Sequence, residues 1–170
     1  NIIISISLAG GVLSVEQAAN WSLLIDKPEN RPNLIQNIIN FVHLHRLDGV
    51  DVDLEWDAVT VGYSGFIIEL KKSLTEHKKI LTAALPNNSR FNNINSTALN
   101  AFDFINIMSY DSTGPWTPNN PGQHSSFTNA QDGINFWHQL QNVPSEKLNL
   151  GVPFYGYNFT YEDVTSSTFG

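Results

Sequence analysis

Apolar residues along the chain switch between two spacings. Ile2 to Leu8 is a β-branched run closed by Ala9-Gly10-Gly11, which predicts a strand and a turn. Behind Pro32, Leu34, Ile35, Ile38, Ile39 and Val42 recur at three and four residues, the spacing of a helix. Gly49 to Leu54 returns to strand spacing. Phe66, Ile67, Leu70 and Leu74 predict an amphipathic helix over 63–77, with Glu69, Lys71, Lys72 and Glu76 toward solvent. Further strands are predicted at 80–86 (ILTAALP), 102–110 (FDFINIMSY) and 148–156 (LNLGVPFYG). A helix over 129–140 would carry Ile134, Trp137 and Leu140 on one stripe, with Trp137 in the core. Strands separated by helices indicate βαβ units and a parallel sheet, an α/β protein.

A doubly wound sheet and a (β/α)8 TIM barrel both fit that alternation. The turn after the first strand, LAGGVLSV, lacks the G-x-G-x-x-G of a dinucleotide site and the GK[ST] of a phosphate loop. The second strand discriminates better. In LDGVDVDLEWD (47–57), Asp51, Asp53 and Glu55 fall on one face and Val50, Val52 and Leu54 on the other. Taken alone, such a strand most often has a solvated acidic face. Parallel sheets are covered on both faces, so here the valine face packs on helices and the acids point into an interior. In a TIM barrel, inward residues climb toward the C-terminal mouth, where such enzymes hold their active sites. Asp51 would then be deepest and Glu55 at the rim. Carboxylates this close cannot all ionise, and a retained proton on an accessible Glu is what general acid catalysis needs.

Composition narrows the classes. The 170 residues are 41% hydrophobic and 15% charged, which suits one globular domain, and the net charge of −7 disfavours nucleic acid as a partner. With no cysteine there is no disulfide framework and no thiolate metal site. No apolar run reaches membrane-spanning length, so membrane insertion is not expected. D-x-D-x-D/E resembles the start of a calcium loop, but Trp56 stands where the loop glycine belongs and Gly62 where the bidentate Glu belongs. His43 and His45 do not face each other on a helix, and His124 is a lone loop residue. No metal and no cofactor are expected. Asn20, Asn87, Asn95 and Asn158 begin N-x-[ST] sequons in a chain rich in asparagine.

DGVDVDLE (48–55) matches D-G-x-D-x-D-x-E at every specified position, and so resembles the signature of the glycoside hydrolase family 18 chitinases. SLAG (7–10) resembles the family's S-x-G-G strand-3 motif with Ala9 for the first glycine. ILTAALP resembles strand 5, NIMSYD (106–111) strand 6, and LGVPFYG (150–156) strand 7. The resemblance implies retaining hydrolysis of β-1,4-linked N-acetylglucosamine polymers, chitin or chitooligosaccharides, by substrate-assisted catalysis. Under it, Glu55 would be the acid and then the base, and the substrate's acetamido oxygen the nucleophile. Asp53 would hold the acetamido N–H, Asp51 would share a proton with Asp53, and Tyr110 would donate to the acetamido oxygen. Met108 would wall the acetamido pocket and Asp111 would bind sugar. Trp116 could stack on a sugar ring or anchor the loop, and Tyr155 could reach the mouth. Chitinases of this family often carry Arg after F-Y-G, where this chain has Tyr157. An endo-β-N-acetylglucosaminidase, a peptidoglycan-acting enzyme and a non-catalytic N-acetylglucosamine lectin are the alternative readings.

The motifs correspond to family strands 3 to 7, without counterparts of strands 1, 2 and 8. Residues 1–170 are therefore expected to form a partial catalytic barrel belonging to a longer, secreted or cell-surface/periplasmic protein whose signal segment lies elsewhere. A five-strand piece alone is expected to have little or no hydrolase activity.

Overall fold

The computed structural model describes residues 2–8, 11 and 13–160. Five strands run in the order β1 (Ser5–Leu8), β2 (Gly49–Val52), β3 (Ile80–Pro86), β4 (Phe104–Met108) and β5 (Leu148–Leu150), each parallel to its neighbours. Helices α1 (Val15–Ile25) and α2 (Arg31–Leu44) link β1 to β2. The links that follow are α3 (Tyr63–Glu76), α4 (Ser96–Ala101) and α5 (Phe127–Asn135), the last continued by a π turn over Phe136–Leu140. Spatial order follows chain order without a reversal. A doubly wound sheet must reverse direction at a switch point, so this is the β/α-barrel arrangement, here as a five-strand arc.

The two faces of β2 are as different as the alternation predicts. Val50 and Val52 are fully buried and Leu54 is 1% exposed, in one cluster with Ile39, Val42, Phe66, Leu70, Leu81, Ala83, Ile105 and Ile107. Burying each such side chain contributes about 1.5–3 kcal/mol, which makes the helix-facing side the main source of cohesion. The opposite face is polar in all five strands. Asp51 accepts from Ser7 on β1 (3.1 Å), Thr82 on β3 (2.5 Å) and Asn106 on β4 (3.2 Å), and Asn149 on β5 donates to Asn106 (3.2 Å). One inward polar residue per strand thus forms a floor centred on Asp51. Ser7 belongs to this floor through its bond to Asp51.

Local chemistry explains most boundaries. Ser14 and Gln17 form a reciprocal capping box at the start of α1. Ser126 caps α5 and Asn95 caps α4 through their side-chain oxygens. Asp26 ties the α1–α2 junction to the loop after β2, accepting from Ser22, Thr60 and the Gly62 N–H. Gly62 is required there: a Cβ would stand 2.0 Å from the Ile25 carbonyl oxygen.

Several expectations need correction. The α1 helix carries no expectation from apolar spacing, and its capping box was the available signal. Glu69 and Lys71 do not simply face solvent. Glu69 accepts from Arg31 at 2.8 Å, while Arg31 also donates to the Ile25 carbonyl, and Lys71 pairs with Asp103 at 2.6 Å. Trp137 is fully buried, with its indole N–H on the Pro86 carbonyl at 2.9 Å, but Ile134 and Leu140 are exposed. The π turn adds a residue to the helical repeat, which takes those three positions off one stripe. The terminal strands are shorter than the apolar runs, with β1 beginning at Ser5 and β5 ending at Leu150.

Candidate active site

Apart from Asp51, the candidate residues sit at or beyond the C-terminal ends of the strands. Asp51 lies within β2, while Asp53 and Glu55 extend past its last paired residue. Asp53 is kept in line by its own N–H, which donates to the Leu8 carbonyl at 3.2 Å. Its carboxyl oxygen Oδ1 is buried and has no hydrogen-bond partner among the described residues. Burial, then the negative charges of Glu55 and Asp51, push its pKa from 3.8 up to about 6. Asp53 is therefore the ladder's proton store in mildly acidic solution. The physical cause is the crowding of like charges away from water.

Glu55 stands at the rim. Its Oε1 accepts the Gly11 N–H at 2.9 Å, so the turn after β1 orients it. The neighbouring Ala9 and Gly10 of the S-x-G-G-like turn lie outside the described residues. Beside Glu55 is a cavity of about 280 Å³, lined by Gly11, Leu13, Ala18, Glu55, Trp56, Asp57 and Ala58. Trp56 takes the left-handed backbone conformation (φ 49°) and is 66% exposed, with its ring edge against Phe91. Trp56 is also a wall of this cavity.

A second group gathers at the ends of β4 and β5. Asn106, Met108 and Tyr110 share the inner face, and Met108 is level with Pro86 of β3. Burial, and then the charges of Asp53, Asp111, Glu55 and Asp51, raise the pKa of the Tyr110 hydroxyl above its ordinary value. It is therefore a donor at any physiological pH. Gly151 makes room for it, because a Cβ there would meet the Tyr110 ring at 2.9 Å.

Asp111 follows at φ 60°, a strained conformation for a residue with a side chain. Three side chains hold it. Tyr155 and Tyr157 donate their hydroxyls to Oδ1 at 2.7 and 2.8 Å, and His124 Nδ1 lies 3.3 Å from the same oxygen. His124 Nδ1 also accepts the Asp111 N–H at 3.2 Å, and its Nε2 faces the Tyr155 carbonyl at 3.1 Å. Both ring nitrogens of His124 are thus engaged. Trp116, 57% exposed, meets Tyr157 edge to face with centroids 5.3 Å apart.

The structure thus places Asp51, Asp53 and Glu55 on one strand, with Met108, Tyr110, Asp111, Trp116 and Tyr155 at the neighbouring strand ends. Sequence reasoning missed His124, which is bound on both ring nitrogens rather than alone in a loop. It noted Tyr157 only as a departure from Arg. Among the described residues, no group of three or more His, Cys, Asp or Glu is arranged to hold a metal ion.

Comparison with known proteins gives a consistent result. Residues 1–168 match the family Glycosyl hydrolases family 18. A chitinase from the chitin utilization locus of Flavobacterium johnsoniae is 76% identical, with a TM-score of 0.92 over 96% of this chain and 52% of that one. The class V chitinase of Nicotiana tobaccum, solved in complex with NAG4, is 28% identical with a TM-score of 0.71, over 87% of this chain and 47% of that one. The endochitinase of Manduca sexta is 27% identical over 85% of this chain and 30% of its own length. The chain spans about half the length of these solved structures. It belongs to glycosyl hydrolase family 18.

Proposed function

We propose that this chain supplies the acid-bearing half of a retaining β-1,4-N-acetylglucosaminide hydrolase acting on chitin or chitooligosaccharides. The observation that carries the reading is the placement of Glu55. It is at the mouth, fixed by the Gly11 N–H and open to a cavity, directly above a carboxyl that holds its proton to about pH 6. The tobacco structure with NAG4 supports the same class of substrate.

In the proposed reaction Glu55 protonates the glycosidic oxygen as the bond to the leaving sugar breaks. The acetamido oxygen of the substrate attacks the anomeric carbon from the other side, and an oxazolinium ion forms. Glu55, now a carboxylate, takes a proton from the water that opens the oxazolinium with net retention. Asp53 faces the acetamido N–H, and its buried unpartnered oxygen is a free acceptor for it. Tyr110 donates to the acetamido oxygen, a positioning and electrostatic contribution. Asp51 is committed to Ser7, Thr82 and Asn106, so its role is to hold a negative charge beneath Asp53. Met108 walls the acetamido pocket and Asp111, Trp116 and Tyr155 contact the sugars. Secretion or surface display suits a polymeric substrate. Among the described residues no helix is long and apolar enough to cross a membrane.

The test is release of a fluorophore from N-acetylchitooligosaccharide conjugates by the naturally occurring protein and by Glu55→Gln. The variant is expected to lose about 10²- to 10⁴-fold in rate while still binding the sugar. Equal rates would remove Glu55 from the acid role.

A further inference from the structure

The polar floor beneath the acids has a direction. Ser7 and Thr82 donate their hydroxyls to Asp51, and Asn106 donates its amide N–H to Asp51 Oδ1 at 3.2 Å. Asn149 donates in turn to Asn106 Oδ1 at 3.2 Å, so every hydrogen in the network points toward the Asp51 carboxylate. Asp53, one inward position higher, has a buried oxygen with no donor among the described residues. Of two neighbouring carboxyls that share a proton, the one richer in donors keeps the charge.

Register brings Asn149 into this network. Asn149 is level with Asn106 across the β4–β5 pair, and Asn106 is level with Ala84 on β3. Asn106 therefore reaches past a small side chain to Asp51, two strands away, and meets its cross-strand partner at its other end. The two ends of an asparagine amide have opposite hydrogen-bonding sense. The Asp51 carboxylate selects the N–H end, and Asn149 occupies the carbonyl end. A hydrogen bond accepted at that carbonyl pins the side chain and makes its N–H a better donor.

We propose that Asn149 is a positioning residue of the acid ladder: by holding the Asn106 amide on Asp51, it keeps the negative charge on Asp51 and the shared proton on Asp53. The inference deepens the hydrolase reading above and rests on it for its effect on rate. Asp53 is the carboxyl that faces the acetamido group in that reading, so the placement of this proton matters to catalysis although Asn149 touches no substrate. Glu55 on the same strand and the phenols of Tyr63 on α3 and Tyr110 beyond β4 share this space electrostatically. Both phenols titrate above the ordinary tyrosine range and do not compete for a proton near pH 6.

Carbon-13 NMR of the Asp51 and Asp53 carboxyl carbons in the naturally occurring protein tests this, because it shows which of them carries the titration step near pH 6. The step is expected on Asp53. In Asn149→Leu, which keeps the volume and removes the donor, the ratio of the Asp51 step to the Asp53 step should rise about two- to tenfold, the equivalent of one hydrogen bond. The kcat for chitotetraose should fall by a similar factor, about two- to tenfold, with KM little changed. Asn149→Gln, which can still donate, should restore the natural partition. Asn149→Ala removes the donor without adding apolar bulk and should match Asn149→Leu. A step that stays wholly on Asp53 in both donor-free variants, or a change that Asn149→Gln does not reverse, would overturn the inference and leave the hydrolase reading in place. A natural protein with the expected partition that hydrolyses no chitooligosaccharide would overturn the hydrolase reading and leave the role of Asn149 in the ladder standing.

Discussion

The two faces of β2 differ in what they can tolerate, although they alternate residue by residue. Val50, Val52 and Leu54 lie in a cluster of buried aliphatic and aromatic side chains. Asp51, Asp53 and Glu55, one position away in each case, meet hydroxyls, amides and one another. The outer face stabilises by excluding water. The inner face is destabilising on its own account, since Asp53 is held between two like charges with an oxygen unpartnered. Stability on one side of a strand supports chemical strain on the other.

The sharpest way to separate the faces is a matched pair of substitutions on neighbouring residues. Glu55→Gln should cost about 3–5 kcal/mol in transition-state stabilisation, the equivalent of its expected rate loss, with little effect on the urea midpoint. Leu54→Ala should do the reverse. It should lower unfolding free energy by about 2–5 kcal/mol, measured by urea denaturation, and leave the rate per folded molecule nearly unchanged. If Leu54→Ala slowed catalysis as much as Glu55→Gln, the division of labour between the faces would be lost.

The polar floor predicts an intermediate effect. Thr82→Val keeps the shape but withdraws the hydroxyl from Asp51, whose carboxylate is then short of a donor. A loss of about 1–3 kcal/mol is expected in the same denaturation assay. Thr82→Ser, which retains the hydroxyl, should recover much of it.

These contrasts also show what the amino-acid sequence makes visible. The alternation of β2 is legible because strand geometry turns a two-residue period directly into two faces. The parallel sheet is legible from strands spaced by helices, and the acidic signature from five fixed positions within eight residues. The α1 helix is not legible from apolar spacing, since Val15 and Leu23 point outward and only Ser14 and Gln17 mark its start. The stripe over 129–140 fails because a π turn cannot be read from a 3.6-residue pattern. His124 and Tyr157 are invisible for a different reason. Their partner, Asp111, is 13 and 46 residues away, and only the packing of β4 beside β5 brings the three together.

The smallest expected effect concerns pH and stability. Asp53 has a folded-state pKa near 6 against 3.8 for the free side chain, so the folded state binds the proton more tightly. Its contribution to stability is complete below about pH 4 and is lost as pH rises through 6. Asp53→Asn removes that loss. Its melting temperature at pH 7 should exceed that of the natural protein by a few degrees, roughly the effect of 1 kcal/mol in a domain of this size. At pH 4 the two should converge. A difference that grew toward acid would contradict the assignment.

The central claim is that the inner face of β2 is a coupled ladder of acids, and carbon-13 NMR titration of the Asp53 carboxyl tests it most directly. The midpoint should lie near pH 6. In Glu55→Gln it should move down, because one of the charges that raises it is gone. A midpoint near 4 that ignores the substitution would contradict the ladder.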